Sequence, residues 1–298
     1  MIGIPRFIEN AKRLGNDIRV LKYIESQLLY RSAIETNPRY RDTRRLIAFG
    51  RKYFSQNDED GIIDEILRRI KIRRPGFFVE IGVGTGVENN TVYRLLQGWH
   101  GAWIEANSRS CSSIRKNFAT FIDRDELILK NAFVSKENGT AIFEELKVPT
   151  EFELLSIDVD GNDYYIWNTI MRWSPKIVVI EYNAAFGPSV PLVATYDPGF
   201  VWDGTNYFGA SLKALELLGS EYGYMLVGCN FAGTNAFFVR KELLGRRFAG
   251  PFSSENHFEP PRYDMVFSDG HPPRIGPLTR LSHASTNGPS YTRRSKTR

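Results

Sequence analysis

Acidic and amide side chains cluster in two segments, each of which follows an apolar run. The segments are Asp158-Val-Asp160-Gly-Asn162-Asp163 and Glu181-Tyr182-Asn183. Carboxylate and amide oxygens are the ligands that Mg²⁺ prefers, and carboxylates also accept protons in catalysis. The spacing predicts a metal site formed by Asp158, Glu181 and Asn183, with Asp158 and Asp160 as catalytic residues. A metal-free site, in which the same acids hydrogen-bond the ligands, is the alternative.

A glycine-rich segment follows an earlier apolar run. It reads Glu80-Ile-Gly82-Val-Gly84-Thr-Gly86, directly after Phe77-Phe-Val-Glu-Ile81. Glycines allow a tight turn and let the main chain approach a ligand closely. The G-x-G-x-G spacing differs from the dinucleotide-binding G-x-G-x-x-G, and without a following lysine it is not a phosphate-binding P-loop. The segment predicts a nucleoside-binding loop involving Glu80, Gly82, Gly84 and Gly86.

Two further polar positions follow the next apolar runs. Glu105 ends the run Ala102–Glu105, and Asn131-Ala132 follow Leu127–Leu129. A carboxylate at Glu105 would accept the two ribose hydroxyls of an adenosine, and the Asn131 amide would meet the adenine edge. Because the carboxyl ends of parallel strands share one edge of a sheet, we expect these residues to line one crevice with the glycine loop.

The order of apolar and amphipathic segments predicts the fold class. Strands are expected near residues 77–82, 102–105, 127–129, 153–158, 177–181, 225–227 and 236–239, with helices near 110–118, 163–171 and 211–222. The strand–helix alternation predicts an α/β, Rossmann-like, mostly parallel seven-stranded sheet, and the last two strands, which no helix separates, predict an antiparallel edge. Ile18, Leu21, Ile24, Leu28 and Leu29 recur at helical spacing near the N-terminus, which predicts N-terminal helices.

These patterns divide the chain into five parts. We expect an N-terminal helical region (1–74), a core (75–245), an insert within it that covers the acceptor (183–208), a C-terminal extension (246–282) and a disordered tail (283–298). An unstructured segment as long as the insert is usually functional. His257, in the extension, is the candidate general base from a segment that folds over the site.

Composition limits the functional classes. The net charge of +5 arises partly from Arg39, Arg41, Arg44 and Arg45 and from the C-terminal arginines. Such clusters occur in nucleic-acid-binding proteins, but solvated helix faces explain them more simply. Two cysteines without metal-ligand spacing fit a reducing cytoplasm. No apolar run approaches the length of a membrane span, so a cytoplasmic protein is expected, and homo-oligomer formation stays open.

The segment from Phe77 to Val239 resembles the class I S-adenosylmethionine-dependent methyltransferases. The glycine loop and Ile157-Asp-Val-Asp-Gly161 carry this resemblance and resemble the FkbM-type family more narrowly. Ser55-Gln-Asn-Asp-Glu-Asp-Gly61 is similar to an element that precedes the core in part of that family. The resemblance implies O-methylation of a sugar or natural product, with S-adenosylmethionine as cofactor. The acids are similar to the metal site of macrocin and catechol O-methyltransferases, except that Tyr182 separates Glu181 from Asn183.

Three other functions remain as alternatives. An NAD-dependent oxidoreductase shares the fold, but its glycine spacing differs and no Tyr-x-x-x-Lys pair follows the fourth or fifth strand. A nucleic-acid methyltransferase or binding module fits the arginine clusters, but the Asn/Asp-Pro-Pro-Tyr/Phe motif is absent from the expected position. A non-catalytic protein on the same fold is disfavoured by the acids at Asp158, Asp160 and Glu181.

Overall fold

Seven strands form one sheet in the computed structural model, which describes residues 4–72, 75–263 and 281–283. The strands of the chain are β1 (Phe77–Ile81), β2 (His100–Glu105), β3 (Leu127–Asn131), β4 (Glu151–Ile157), β5 (Ser174–Glu181), β6 (Leu192–Ala194), β7 (Tyr224–Cys229), β8 (Asn235–Arg240) and β9 (Leu281–His283). The large sheet has the order β3-β2-β1-β4-β5-β8-β7. Strands β1 to β5 are parallel, and β8 is antiparallel to β5 and β7. The predicted fold class is confirmed.

Helices cover both faces of this sheet. They are α1 (Ile4–Thr36), α2 (Glu59–Arg69), α3 (Val92–Leu96), α4 (Ser108–Asn117), α5 (Ala119–Asp123), α6 (Gly139–Glu145), α7 (Asp163–Thr169), α8 (Leu212–Glu221) and α9 (Ser254–His257). In β5, Val178 and Ile180 pack in one apolar layer with α6, α7 and α8, whereas Ile177 and Val179 pack in the other with α2, α3 and α4. Burial on both faces explains why this strand is apolar at successive positions.

The N-terminal region contains the predicted helices. Its long helix α1 packs on the rest of the protein near its C-terminal end, where Tyr30, Ala33 and Ile34 contact a cluster that includes Tyr40 and Phe231. The apolar positions Ile18, Leu21, Ile24, Leu28 and Leu29, which established the helical period, are exposed instead of buried. Among the described residues, no helix is both long and apolar enough to cross a membrane.

The insert at residues 183–208 is more ordered than its sequence indicates. It contains a 3-10 helix (Ala184–Phe186) and β6, which pairs with β9 in a second, two-stranded antiparallel sheet. Three-residue strands are too short to show a period, so the sequence did not predict this sheet. Apart from His283 at the end of β9, the predicted disordered tail lies outside the described residues.

The strand order reverses between β1 and β4. From β1 the chain continues outward to β2 and β3, whereas β4 and β5 lie on the other side of β1. The helices that follow β1 and β4 therefore diverge to opposite faces, which leaves a crevice beyond the carboxyl ends of these two strands. Open α/β sheets bind ligands at this kind of switch point.

Candidate functional site

A cavity of about 540 Å³ opens at the switch point. Its walls are the glycine loop after β1, the ends of β2, β4 and β5, residues 132–134 after β3, and part of the insert. The cavity therefore brings together most of the polar residues that the sequence singled out. Those that line it are Glu80, Gly82, Gly84, Glu105, Ala132, Asp158, Asp160 and Glu181.

The three glycines of the loop have different roles. Gly82 has φ +83°, and a Cβ there would collide with the carbonyl oxygen of Asp158, so the loop closes directly onto the end of β4. Gly84 lines the cavity. Gly86 does not line it: a Cβ at Gly86 would come within 3.0 Å of Trp103, so this glycine permits close packing of the loop on the core. The prediction that Gly86 contacts the ligand is corrected accordingly.

Glu80 connects the end of β1 to the segment before α3. Its buried carboxylate accepts hydrogen bonds from the backbone N–H of Asn90 at 2.8 Å and of Thr91 at 3.1 Å, and from the Thr91 hydroxyl at 2.5 Å. Burial raises the pKa of Glu80 to about 7 despite these donors. Glu80 borders the cavity, but its hydrogen bonds hold the loop in place.

Glu105 is held rigidly at the end of β2. One carboxylate oxygen accepts the Gly84 N–H at 2.8 Å and the other accepts the Asn107 N–H at 2.7 Å. A carboxylate oxygen can accept more than one hydrogen bond, so both oxygens keep acceptor capacity for a ligand. The glycine loop and Glu105 are therefore fixed relative to each other before any ligand binds.

Asn131 does not line the cavity, contrary to the prediction that its amide meets the adenine edge. The Asn131 Nδ2 donates to the carbonyl oxygens of Glu105 at 2.8 Å and of Ala106 at 3.0 Å, which ties β3 to β2. The residues that follow it, Ala132, Phe133 and Val134, line the cavity instead. The sequence identified the right strand end, but side-chain direction in the loop decides which residue faces the ligand.

Three carboxylates approach one another on the other side of the switch point. Oxygens of Asp158, Asp163 and Glu181 all lie within 4.8 Å of one another. Burial, together with the charges of Asp160 and Asp163, raises the pKa of Glu181 well above its usual value. Burial also raises the pKa of Asp163 to about 6. Like charges this close favour either protonation or a bound cation.

The turn that follows β4 and carries Asp158 and Asp163 is strained and internally hydrogen-bonded. Asp163 accepts the N–H groups of Val159 at 2.9 Å and Gly161 at 3.0 Å. Asp160 has φ +57°, which a residue with a Cβ adopts only at a cost of about 1 kcal/mol or more. Backbone strain of this kind concentrates at functional sites, and Asp160 lines the cavity.

Asn183 is not among the residues that line the cavity, and its contacts give no support to its predicted role as a metal ligand. Its buried side-chain amide donates to the carbonyl oxygens of Asn206 at 2.8 Å and Phe208 at 3.1 Å, and its oxygen accepts the Ala185 N–H at 3.1 Å. These bonds tie the two ends of the insert together. Asp163 occupies the third place in the cluster, although the sequence-based prediction gave it no role as a ligand.

The insert contributes an aromatic wall to the cavity. Phe200 and Trp202 line the cavity. The Phe200 ring packs so closely on Gly161 that a Cβ at position 161 would collide with it. The Asn162 side chain also donates to the Asp197 carbonyl oxygen at 2.8 Å. The insert therefore rests on the turn that carries the acids.

The far rim of the cavity comes from the segment Ser55–Gly61 and the β7–β8 connection. Glu59 accepts hydrogen bonds from the side-chain amides of Asn230 at 2.8 Å and Asn235 at 3.0 Å. Gln56, Thr234 and Asn235 line the cavity. In the sequence, Ser55–Gly61 was recognisable only through a resemblance, and Thr234 and Asn235 were not predicted. Nothing in the sequence indicates that Ser55–Gly61 meets the β7–β8 connection.

His257 is not among the residues that line the cavity, and its surroundings give no support to its predicted role as the catalytic base. The ring is buried, and its Nε2 is 3.0 Å from the Ala249 carbonyl oxygen. Burial, together with the nearby Arg45 and Arg39, lowers the pKa of His257 to about 3. The imidazole is neutral at physiological pH and serves the packing of the extension.

Two of the N-terminal arginines attach this same extension to the protein. Arg39 donates to the carbonyl oxygens of Asn256 at 2.8 Å and Phe258 at 2.9 Å, and Arg45 donates to that of Asn256 at 2.9 Å. These two arginines are engaged within the protein, which supports the structural explanation of the basic cluster over nucleic-acid binding.

No family model matches the chain, and no curated protein matches it. Similar solved structures include a precorrin-6y C5,15-methyltransferase from Geobacter metallireducens GS-15, at 14% identity over 64% of this chain and 90% of that chain, with a TM-score of 0.36. Another is a TehB-like SAM-dependent methyltransferase from Corynebacterium glutamicum, at 14% identity over 59% of this chain and 88% of that chain, with a TM-score of 0.34. A third is an O-methyltransferase from Bacillus cereus in complex with SAH, at 13% identity over 56% of this chain and 68% of that chain, with a TM-score of 0.35. At this level of similarity, the function must be inferred from the chain's own site.

Proposed function

We propose that this chain is an S-adenosylmethionine-dependent O-methyltransferase of the FkbM type that acts on a small hydroxylated acceptor, such as a sugar or natural product, with Mg²⁺ at the acid cluster. One observation carries the proposal. The glycine loop, Glu105 and two members of the acid cluster, Asp158 and Glu181, line one cavity, and Asp163 lies directly behind these two acids. A nucleoside and a hydroxylated acceptor would thus be held side by side, as group transfer requires.

The side of the cavity near β2 and β3 fits the cofactor. Glu105 would accept the ribose hydroxyls, and Ile104, Ala132, Phe133 and Val134 give an apolar lining suited to adenine. The cofactor, when bound, supplies an electrophilic methyl group on a sulfonium. The contribution of the chain is to fix the donor by means of a loop that needs no rearrangement.

The side of the cavity near β4 and β5 fits a cation. We infer that Asp158, Asp163 and Glu181 hold Mg²⁺, with Asp163 in the place that the sequence assigned to Asn183. A divalent ion would favour the ionised form of Glu181 and lower the pKa of an acceptor hydroxyl bound to it. In a site without metal, Asp158 and Asp160 would instead accept the hydroxyl proton directly.

The insert would cover the acceptor. Phe200 and Trp202 provide flat apolar surfaces, to which the apolar face of a sugar or a natural-product ring can pack. Because the insert rests on the acid-bearing turn and not on the glycine loop, we expect changes in it to alter acceptor use while cofactor binding persists.

Thermal unfolding with and without Mg²⁺ tests the acid-cluster part of this proposal. In the presence of S-adenosylhomocysteine, Mg²⁺ should raise the unfolding midpoint of the wild-type protein above that measured in EDTA, because binding to the native state stabilises it. The Asp158→Asn variant should lose this increment. Asp197→Asn, an exposed position in the insert, should keep it. An increment that survives Asp158→Asn would rule out Mg²⁺ at this cluster.

A further inference from the structure

The long helix α1 presents an apolar stripe to solvent. Among the residues that the structure describes, nothing buries Leu14 (62% exposed), Ile18 (47%), Leu21 (64%) or Leu28 (61%). Single exposed apolar residues are ordinary, but a row of them along one helix marks an interaction surface. Ile24 and Leu29 flank the stripe and are also about half exposed.

The stripe faces away from the rest of the protein. The helix contacts its own chain through Ser26, Tyr30 and Ala33, which pack towards Phe231 and the 3-10 helix Pro38–Arg41. At about 100° per residue, the mean direction of these positions is about 130° around the helix from that of the row formed by Ile18, Leu21 and Leu28. The stripe is therefore accessible while the helix remains anchored.

The spacing of the stripe identifies the kind of surface. The series Leu14, Ile18, Leu21, Glu25, Leu28 advances by alternating steps of four and three residues. Glu25 is its one polar member. A seven-residue repeat with two apolar positions is the pattern by which two helices wrap around each other in a left-handed coiled coil. In that notation, Leu14, Leu21 and Leu28 are d positions and Ile18 is an a position.

The charges beside the stripe indicate which partner fits it. Asp17 is a g position and Lys22 is the following e position, so in a parallel pair of identical helices each Asp17 faces the other chain's Lys22. In an antiparallel pair, g faces g and e faces e, and this attraction is lost. Asp17 and Glu25 also lie within the apolar arc, where they would oppose insertion into a lipid surface.

We propose that α1 forms a parallel coiled coil with α1 of a second copy of this chain, so that the protein is a two-fold homodimer. Leu14, Ile18, Leu21 and Leu28 form the seam, and the reciprocal Asp17–Lys22 pairs fix the parallel orientation. Glu25 at an a position weakens the seam, as a polar residue there generally does. This inference is independent of the proposed enzymatic activity.

The mass of the full-length protein in sedimentation equilibrium tests the seam. Wild type should have twice the chain mass of 34.1 kDa. Leu21→Glu should raise the dimer dissociation constant on the order of a hundredfold, because it places a charge from each chain in the seam. Val20→Glu is the matched control, since Val20 is 56% exposed but lies off the seam, and it should leave the dimer intact. Circular dichroism of each variant would verify that the protein is folded.

Charge reversal tests the orientation. Asp17→Lys should weaken the dimer about tenfold by replacing two attractions with two repulsions, and adding Lys22→Asp should restore it. Glu9→Lys, the same charge change at an exposed position away from the seam, should have no effect. A wild-type monomer at all concentrations would overturn the dimer, as would binding of the wild type to phosphatidylserine vesicles as a monomer. Equal weakening of the dimer by Leu21→Glu and Val20→Glu would overturn the proposed seam. Failure of the double charge reversal to restore affinity would overturn the parallel arrangement.

Discussion

Glu80 and Glu105 end neighbouring strands of the sheet, but their carboxylates have different surroundings. Glu80 accepts three hydrogen bonds from Asn90 and Thr91 within the protein. Glu105 accepts one backbone N–H at each oxygen and lines the cavity next to Ala106. At the residue scale, Glu80 is therefore a positioning residue for the loop, and Glu105 is the residue expected to contact the cofactor.

Replacing Glu105 with Gln should weaken S-adenosylhomocysteine binding about 10- to 100-fold. The change removes the charge from a hydrogen bond to the ribose, and such bonds contribute about 1.5–3 kcal/mol. Titration calorimetry would measure the affinity. The matched control is Glu126→Gln, which precedes β3 at the opposite edge of the sheet and should bind like wild type. Unchanged affinity in Glu105→Gln would remove Glu105 from the cofactor site.

The buried Glu80 should make stability depend on pH. Its pKa is raised from 4.5 to about 7, so the folded state binds the proton more tightly than the unfolded state does. Its contribution is therefore fully present below about pH 4.5 and is lost as the pH rises through about 7. The shift corresponds to a loss on the order of 3 kcal/mol. Urea unfolding at several pH values should show this fall in wild type and a flatter profile in Glu80→Gln; identical profiles would contradict it.

At the scale of the elements, the sheet was predictable and the loops were not. Buried parallel strands such as β5 contain a continuous apolar run, here Ile177 to Ile180, so the sequence marks them plainly. Which side chains face the cavity depends on the direction of the loop after each strand end. After β3, for example, Phe133 lines the cavity in place of the predicted Asn131. The third acid, Asp163, was visible in the sequence, but nothing there indicated that its carboxylate meets Glu181. Likewise, the rim residues Thr234 and Asn235 depend on contacts distant in sequence.

Asn183 ties the two ends of the insert together, although in the sequence it looks like a metal ligand. Replacing it with Ala removes the two hydrogen bonds that its buried amide donates to the carbonyl oxygens of Asn206 and Phe208, and each such bond contributes about 0.5–1.5 kcal/mol. The free energy of unfolding should therefore fall by about 1–3 kcal/mol in urea denaturation. The folded variant should retain the Mg²⁺-dependent stabilisation. Little loss of stability together with loss of the Mg²⁺ response would restore Asn183 as a ligand.

At the scale of the whole molecule, the doubly wound topology explains why one cavity has two chemically different sides. Reversal of strand order at β1 and β4 sends the glycine loop and Glu105 to one side and the acid-bearing turn to the other. The Gly82–Asp158 contact joins the two sides where they meet. Within the residues that the structure describes, α1 lies outside this arrangement, so disrupting its seam should leave cofactor affinity unchanged.

Binding of S-adenosylhomocysteine to the purified wild-type protein tests the central claim most directly. Titration calorimetry should give saturable binding with one site per chain, and NAD at the same concentrations should give no binding heat, because the loop has G-x-G-x-G spacing and not the dinucleotide-binding G-x-G-x-x-G. Binding of NAD in place of S-adenosylhomocysteine, or of neither ligand, would contradict the account.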